Sequence, residues 1–345
     1  MTVPIRLAVA GTGYFSQFHF DAWHRCPEVD LIAVASLDQA AAEQIAQTSG
    51  AKVFASAQEM IETVDADLVD IITPPSTHLA LVEACARRGV ASICQKPFCG
   101  TIEMARRAVE VLNETGSFCV VHENFLFQPW YVATKAFLET GRLGTIYQAQ
   151  FRLRPGDGQG GDAYLARQPY FQTMERFVVH ETAIHYIDVF RYLFGPLDRI
   201  WADLRKLNPV IAGEDDAFLV LTHKDGLGDG MRSVIDANRL ADHAATNTRR
   251  TMGELIVDGE NGELRLDGDA NLLFRLRGET VWEPVPFAWN NHGFGGDCVY
   301  NFTRHVVEHL TLGAPVANSA HEYLANLEAE EAAYRSAETG SAQQL

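Results

Sequence analysis

The amino-acid sequence predicts an α/β protein with a doubly wound parallel sheet in its N-terminal part and a C-terminal α+β domain whose large open sheet is mostly antiparallel. Through residue 122, short β-type apolar runs alternate with segments of helical period, a pattern typical of βαβ units. Further along the chain, strand-like runs follow one another without intervening helices, which is typical of an antiparallel sheet with helices packed on one face. The length of 345 residues suits two domains, which we place at 1–122 and 123–345.

The predicted strands of the first domain are almost continuously apolar, as expected where helices cover both faces of a sheet. They are Ile5 to Ala10, Leu31 to Ser36, Val53 to Phe54, Leu68 to Ile72, Ala91 to Cys94 and Phe118 to Val121.

The second domain is predicted to begin with a helix at Trp130 to Thr140 and to contain a further helix at Glu181 to Phe194. Two final helices are expected at about Cys298 to Leu312 and His321 to Ala337, followed by a frayed tail from Gly340 to Leu345. The strands of its sheet are expected at Tyr147 to Leu153, Ile200 to Leu204, Ala217 to Thr222, Arg232 to Ala237 and Glu254 to Val257.

The chain is acidic, with a formal net charge of −17 at pH 7, and 47% of its residues are apolar. This balance argues against nucleic acid or an anionic membrane as the main partner, because both reward clustered positive charge. The six cysteines form no C-x-x-C pair, so we expect free, buried thiols in a reducing compartment. The sequence shows neither a signal-peptide pattern nor an uninterrupted apolar stretch of spanning length, so we expect a cytoplasmic protein.

A glycine-rich turn directly follows the first predicted strand. In the segment GTGYFS, Gly11 permits a tight turn, Gly13 lets the backbone approach a pyrophosphate, and the next helix presents its N-terminus. Ser16 stands where the dinucleotide-binding fingerprint has its third glycine, and it is small enough for close packing. By itself such a turn is also compatible with an ordinary glycine turn, but its place at the head of a βαβ series indicates a dinucleotide site.

The end of the second predicted strand bears on the choice between NAD and NADP. An acidic side chain there would accept hydrogen bonds from the ribose 2′-hydroxyl, but this strand ends with Ser36, and Asp38 comes two residues later. No Arg or Lys follows Ser36 to neutralise a 2′-phosphate, so we expect NAD without excluding NADP. Asp38 is equally compatible with a role as the N-cap of the next helix.

Two further patterns indicate catalytic chemistry. Lys96 follows the fifth predicted strand, at the edge where parallel sheets meet their ligands, although a surface lysine would look the same. On an α-helix, Glu181, His185 and Asp188 would lie within about 60° of one another, where a carboxylate can orient the imidazole as a general base. A structural histidine remains the alternative, and we expect no metal, because the chain lacks H-E-x-x-H and the cysteines lack zinc-ligand spacing.

Taken together, several motifs resemble the glucose-fructose oxidoreductase / inositol dehydrogenase (Gfo/Idh/MocA) family over nearly the whole chain. The resemblance implies an N-terminal Rossmann domain, a C-terminal domain whose open sheet often forms an oligomer interface, and hydride transfer between a nicotinamide cofactor and a sugar, cyclitol or related polyol. It therefore implies a homodimer or homotetramer. The motifs are GTGYFS, TPPSTH at Thr73 to His78, CQKPF at Cys94 to Phe98, the H-x-x-D of His185 and Asp188, GAPV at Gly313 to Val316 and AEEAAYRSAETG at Ala329 to Gly340.

Carried over by motif, the resemblance implies that Lys96 is the catalytic lysine, that His185 is the acid/base, and that Glu181 stands where the family usually has Asp. The implied cofactor-binding residues are Gly11, Thr12, Gly13, Tyr14, Phe15, Ser36, Asp38, Thr73, Pro74, His78 and Gln95.

The chain departs from the family pattern at two positions: Gln95 replaces the usual Glu before Lys-Pro, and Leu126 stands where an Arg is often found. CQKPF, VHENF, PYFQTMERF and NPVIAGED more specifically resemble bacterial D-apiose dehydrogenases, so Gln95 reads as a trait of that subgroup. Asn124 and Arg176 are the predicted substrate contacts, although Arg176 is also compatible with a salt-bridged surface residue.

The leading hypothesis is an NAD(P)-dependent dehydrogenase of an aldose such as D-apiose or of a polyol. One alternative is a non-catalytic dinucleotide sensor, which would bind nucleotide without turnover. The other is a redox-neutral enzyme that retains its NAD and releases no NADH.

Overall fold

The computed structural model describes residues 3–345. The chain forms two compact units. The first comprises the chain as far as Asn124 together with Val299–Ala325, and the second comprises Phe125–Cys298 and Asn326–Leu345. The boundary between these units lies two residues beyond the expected division at 122, and Val299–Ala325 belongs to the first unit by its contacts.

The first unit contains a six-stranded parallel sheet. Its strands are β1 (Ile5–Ala10), β2 (Val29–Ala35), β3 (Lys52–Phe54), β4 (Leu68–Ile71), β5 (Ala91–Gln95) and β6 (Cys119–His122). They lie in the order β3-β2-β1-β4-β5-β6, so the strand order reverses between β1 and β4. In such sheets, ligands bind outside the carboxyl ends of the strands at this switch point.

Short helices connect these strands: α1 (Ser16–His24), α2 (Gln39–Ser49), α3 (Ala57–Thr63), α4 (His78–Arg88) and α5 (Ile102–Thr115). Their starts follow local chemistry, because the side chains of Asp38, Ser56 and Thr101 each accept a hydrogen bond from the first turn of α2, α3 and α5.

The second unit contains α6 (Pro129–Glu139) and α7 (Ile184–Phe194), and a π-helical segment, Val178–Ala183, precedes α7. Two long helices precede the C-terminal strand, α8 (Cys298–Leu312) and α9 (Ala320–Thr339). Within residues 3–345, none of the helices combines the length and the apolar character needed to cross a membrane.

A nine-stranded sheet forms the body of the second unit, in the order β14-β13-β12-β11-β7-β10-β9-β8-β15. Adjacent strands of this sheet run antiparallel, except that β7 and β10 run parallel to each other. The strands are β7 (Ile146–Leu153), β8 (Leu197–Arg205), β9 (Asp216–His223), β10 (Arg232–Asn238), β11 (Gly253–Gly259), β12 (Gly262–Leu266), β13 (Leu272–Leu276), β14 (Glu283–Pro284) and β15 (Gln343–Gln344).

One face of this sheet is covered by helices. Phe151 of β7 stacks on Tyr186 of α7 at 3.9 Å, and Phe274 of β13 meets Phe137 of α6 at 5.1 Å, both measured between ring centroids. Side chains alternate between buried and half-exposed along β9 to β12, as expected for a sheet with one covered face.

Three elements differ from expectation. The strands β12, β13 and β14 were not predicted, because they are short and interrupted by charged residues. The tail is not frayed: Gln343 and Gln344 pair with β8, and the Leu345 N–H donates to the carbonyl of Asp198. The predicted helix from Glu181 is α-helical only from Ile184.

Candidate active site

The glycine-rich turn lies at the switch point of the parallel sheet. A Cβ atom at Gly11, whose φ is +110°, would lie 2.9 Å from the carbonyl carbon of Ile72 and 3.0 Å from the backbone nitrogen of Thr73. Only glycine therefore allows the turn after β1 to pass so close to the end of β4. At Gly13, by contrast, a Cβ atom would meet nothing within 4 Å, so space lies open beside this backbone. A close turn with open space beside it fits a bound pyrophosphate.

Helix α1 begins directly after this turn. Within residues 3–345 no side chain caps its start, while the Ser16 hydroxyl donates to the carbonyl of Gly13 at 2.7 Å. No acidic side chain of these residues lies in the first turn of α1, so the positive end of the helix dipole can act on a bound anion. Tyr14 is 59% exposed, whereas Phe15 packs against Phe18 at 5.1 Å between ring centroids.

The two residues predicted to contact the ribose are engaged within the protein. The hydroxyls of Thr12 and Ser36 lie 2.6 Å apart, and the Ser36 hydroxyl also accepts from the Asp38 N–H at 3.0 Å. Asp38 Oδ1 accepts from the N–H of Ala41 at 3.0 Å and caps α2. The geometry therefore supports the capping role that the sequence left open for Asp38.

The loop after β4 is held by hydrogen bonds among its own residues. The hydroxyls of Thr73 and Thr77 lie 2.7 Å apart, and Pro74 is exposed. His78 is buried, with its two ring nitrogens 2.7 Å from the carbonyl of Thr73 and 3.1 Å from that of Pro97. Burial lowers the pKa of His78 below its ordinary value. His78 thus joins two loops at the carboxyl edge of the sheet.

Lys96 lies at this same edge, directly after β5 and before a cis peptide bond to Pro97. Both Lys96 and Gln95 are half-buried. The Lys96 N–H donates to Gln95 Oε1 at 2.7 Å. The backbone that carries the predicted catalytic ammonium is therefore held by the side chain of the preceding residue.

Two buried residues that the sequence analysis missed lie behind Gln95. His19 Nε2 lies 3.1 Å from Gln95 Nε2, and His19 Nδ1 lies 2.8 Å from Asp70 Oδ2, which also accepts from Trp23 Nε1 at 2.7 Å. An aspartate within the apolar run of β4 was the signal that could have found this cluster, because a buried carboxylate requires partners.

His185 lies in the first turn of α7 and is 5% exposed. Its ring stacks on Phe125, with centroids 3.9 Å apart and planes inclined by 7°. Leu126, which stands where an arginine is often found in the resembling family, is buried. The aromatic stack fixes the plane of the imidazole, which is what a positioned general base requires.

The prediction that Glu181, His185 and Asp188 lie on one regular α-helix is wrong for Glu181. Glu181 lies in the π-helical segment, whose wider turn changes its angular relation to α7. Burial first, and the charge of Glu181 second, raises the pKa of Tyr170. Asp188 is buried and accepts from Asn326 Nδ2 at 2.7 Å, so it is engaged with α9.

The two predicted substrate contacts have different environments. Asn124 is buried just beyond β6. Arg176 forms an ion pair with Glu331, and its guanidinium lies 4.2 Å from the ring centroid of Tyr334. These contacts correspond to the salt-bridged alternative for Arg176.

Comparison with known proteins adds independent findings. Residues 5–123 match the family model described as "Oxidoreductase family, NAD-binding Rossmann fold", and residues 131–265 match "GFO/IDH/MocA C-terminal domain". The chain is 34% identical to a D-apiose dehydrogenase of Paraburkholderia graminis, over 98% of this chain and 89% of that protein. It is 28% identical to a D-apiose dehydrogenase of Rhizobium rhizogenes, over 96% and 95% of the two chains.

A solved structure is also similar along its whole length. It is an oxidoreductase from Agrobacterium radiobacter in complex with NAD+, L-tartaric acid and magnesium, with a TM-score of 0.88 and 26% identity, covering 99% of this chain and 98% of that chain.

Proposed function

Since the chain belongs to the Gfo/Idh/MocA family of NAD-binding oxidoreductases, we propose that it oxidises an aldose such as D-apiose. That it is a sugar or polyol dehydrogenase with NAD as cofactor follows from its relatives and from its NAD-binding domain. The observation that carries the choice of substrate is the 34% identity to a D-apiose dehydrogenase across 98% of this chain.

The turn at Gly11 and Gly13 and the uncapped start of α1 would hold the pyrophosphate of the cofactor. NAD is favoured over NADP because Ser36 brings no positive charge to a 2′-phosphate, and its hydroxyl is already bonded to Thr12. Bound there, NAD would supply the hydride acceptor for the oxidation of a carbinol carbon.

We assign four roles by motif. His185 takes the hydroxyl proton as general base, and its stack on Phe125 keeps the imidazole plane fixed. Lys96 stabilises the negative charge that develops on the substrate oxygen. Glu181 is the proposed orienting residue for His185, and Asn124 is the proposed substrate contact.

The test is absorbance at the reduced-nicotinamide band with NAD or NADP and a panel of aldoses that includes apiose, together with cyclitols and other polyols. We expect turnover with NAD and apiose, and a loss of at least about 100-fold in kcat for Lys96→Met and for His185→Ala. Full turnover in either variant would refute that residue's role. Tight nucleotide binding without turnover on any substrate would favour the sensor, and cofactor retained without net NADH would favour the redox-neutral enzyme.

We also propose that the protein is a cytoplasmic homo-oligomer that associates through the outer face of its second sheet. Trp201, Val220, Val234, Gln150 and Ile256 are register neighbours on successive strands, and all are half-buried. A mostly apolar row on an uncovered face favours association through burial. Its six buried free cysteines suit a reducing compartment.

Light scattering after size-exclusion chromatography tests the association. We expect a dimer or tetramer in the wild-type protein and a shift toward the monomer in Val220→Glu, because the new charge would be buried at the interface. Glu substitution at exposed Gln44 is the control for added charge. A wild-type monomer would refute the proposal.

A further inference from the structure

Hydrogen bonds connect the Lys96 backbone to Gln95, Gln95 to His19, and His19 to Asp70. The donor of each bond can be identified by starting from Lys96 or from Asp70. At one end, the backbone N–H of Lys96 can only donate, so the atom that faces it must be the amide oxygen of Gln95. The amide nitrogen of Gln95 then faces His19 Nε2 and donates to it. A nitrogen that accepts this bond carries no proton, so His19 Nε2 is unprotonated.

The hydrogen bond between His19 and Asp70 agrees with this assignment. With Nε2 unprotonated, the proton of His19 must lie on Nδ1, from which it is donated to Asp70 Oδ2. Trp23 Nε1 can only donate, and it donates to the same carboxylate oxygen. A buried carboxylate that accepts two hydrogen bonds thus orients His19, His19 orients Gln95, and Gln95 orients the Lys96 peptide.

We propose that Gln95 is a positioning residue for Lys96, and that it acts only while His19 is neutral with its proton on Nδ1. This inference rests on the proposed role of Lys96. A second proton on His19 would set the Nε2–H against the amide N–H of Gln95, and these two donors repel. The link from Asp70 to the Lys96 backbone would then break at the contact between His19 and Gln95.

Aromatic rings pack around the imidazole of His19. Its ring stacks on His122 with centroids 4.0 Å apart, and His122 packs in turn against Phe302 at 4.3 Å. Phe15 covers another edge at 5.7 Å. Asp70 meets His19 Nδ1, and the buried thiol of Cys94 lies close enough to Asp70 to feel its charge. Residue 95 meets His19 Nε2 directly, so a change there acts on this nitrogen.

A carboxylate at position 95 would require the opposite arrangement. Gln95→Glu offers an acceptor to both the Lys96 N–H and the His19 ring, so His19 would gain a proton on Nε2 and form an imidazolium between two carboxylates. Gln95→Met keeps the shape of the side chain but can neither accept from Lys96 nor donate to His19. Exposed Gln44 on α2 provides matched controls, Gln44→Glu and Gln44→Met.

The first measurement is nitrogen-15 NMR of the histidine rings in the full-length protein, with the His19 signals assigned by their loss in His19→Asn. At neutral pH we expect a protonated Nδ1 and an unprotonated Nε2 in the wild type, and both nitrogens protonated in Gln95→Glu. A protonated Nε2 in the wild type, or an unchanged His19 in Gln95→Glu, would overturn the assignment.

The second measurement is kcat at neutral pH, with KM for NAD and sugar determined alongside. We expect Gln95→Met to lower kcat by about tenfold to 100-fold, with smaller changes in KM, because Lys96 is misplaced rather than lost. Gln95→Glu should retain more activity than Gln95→Met, because its carboxylate can still accept from the Lys96 N–H. The Gln44 variants should match the wild type.

The outcomes separate this inference from the proposed function. Full turnover of Lys96→Met refutes the proposed role of the lysine and, with it, the positioning role of Gln95. An inactive Lys96→Met beside a Gln95→Met variant with wild-type kcat refutes only the positioning. Thermal unfolding of Gln95→Met distinguishes a folded, slow enzyme from a misfolded one. If that variant does not fold, the ring-nitrogen NMR of Gln95→Glu decides, because an unchanged His19 refutes the inference.

Discussion

Replacement of Glu214 should destabilise the second unit selectively, because one carboxylate oxygen holds the start of the segment that carries Glu181. Glu214 Oε1 accepts from the N–H groups of Phe177 and Val179, each at 3.0 Å, and from the hydroxyl of Tyr334 at 2.7 Å. Only 8% of Glu214 is exposed, so water cannot readily replace these bonds.

The loss of stability can be estimated from the hydrogen-bond donors that Glu214→Ala leaves without an acceptor. In Glu214→Ala two buried N–H groups lose their acceptor, at about 1–3 kcal/mol each, so we expect a loss of about 3 kcal/mol in the free energy of unfolding. For a unit of this size, 3 kcal/mol corresponds to a Tm lower by about 6–12 °C. Glu214→Gln keeps an oxygen that can occupy the Oε1 position, and we expect it to lose only about 1 kcal/mol, the charge-assisted share of the bonds.

The assay is urea unfolding followed by tryptophan fluorescence. Four of the five tryptophans, all except Trp23, belong to the second unit, so the signal reports mainly on that unit. Tyr334→Phe removes one donor and should cost about 1 kcal/mol. If Glu214→Gln were as unstable as Glu214→Ala, or if Glu214→Ala lost less than about 1 kcal/mol, the reasoning from Oε1 would be wrong.

Three further outcomes are expected. Asp38→Ala should lower the free energy of unfolding by about 1 kcal/mol, whereas Asp38→Asn should not, because Asn also caps helices well. Neither substitution should change the Kd for NAD by more than about twofold. A tenfold loss of affinity would instead show that Asp38 contacts the ribose. Burial raises the pKa of both Cys99 and Cys119 to about 12, so their thiols should resist iodoacetamide at pH 8 until urea is added. In the unfolded chain these thiols lose their protons near pH 8.5, whereas in the folded protein they keep them. The free energy of unfolding should therefore fall above about pH 9, and a free energy that does not change with pH there would contradict the raised pKa of the two thiols. Arg176→Met should leave KM for the sugar within about twofold, because this guanidinium is paired with Glu331; a larger rise in KM would restore Arg176 as a substrate contact.

Much of the fold is determined by local sequence pattern. The strand Ile5–Ala10 and the helix Cys298–Leu312 have the predicted bounds, because a continuous apolar run and a helical period are each properties of a few successive residues. The glycine turn after β1 and the cap at Asp38 are local in the same way: each depends on residues within one turn of chain. The family resemblance rests on motifs of this kind.

Tertiary structure decided what depends on partners distant in sequence. Gln343–Gln344 became a strand only because β8 presents an unpaired edge to it, and Glu181 entered a π-helical segment anchored by Glu214, 33 positions further along the chain. Likewise the cluster behind Lys96 brings together Asp70, His19 and Gln95 from three separate elements. A hydrogen bond depends on the positions of two atoms in space, and sequence spacing fixes those positions only within a single element. Across elements, the register of the sheet and the packing of its helices place the atoms.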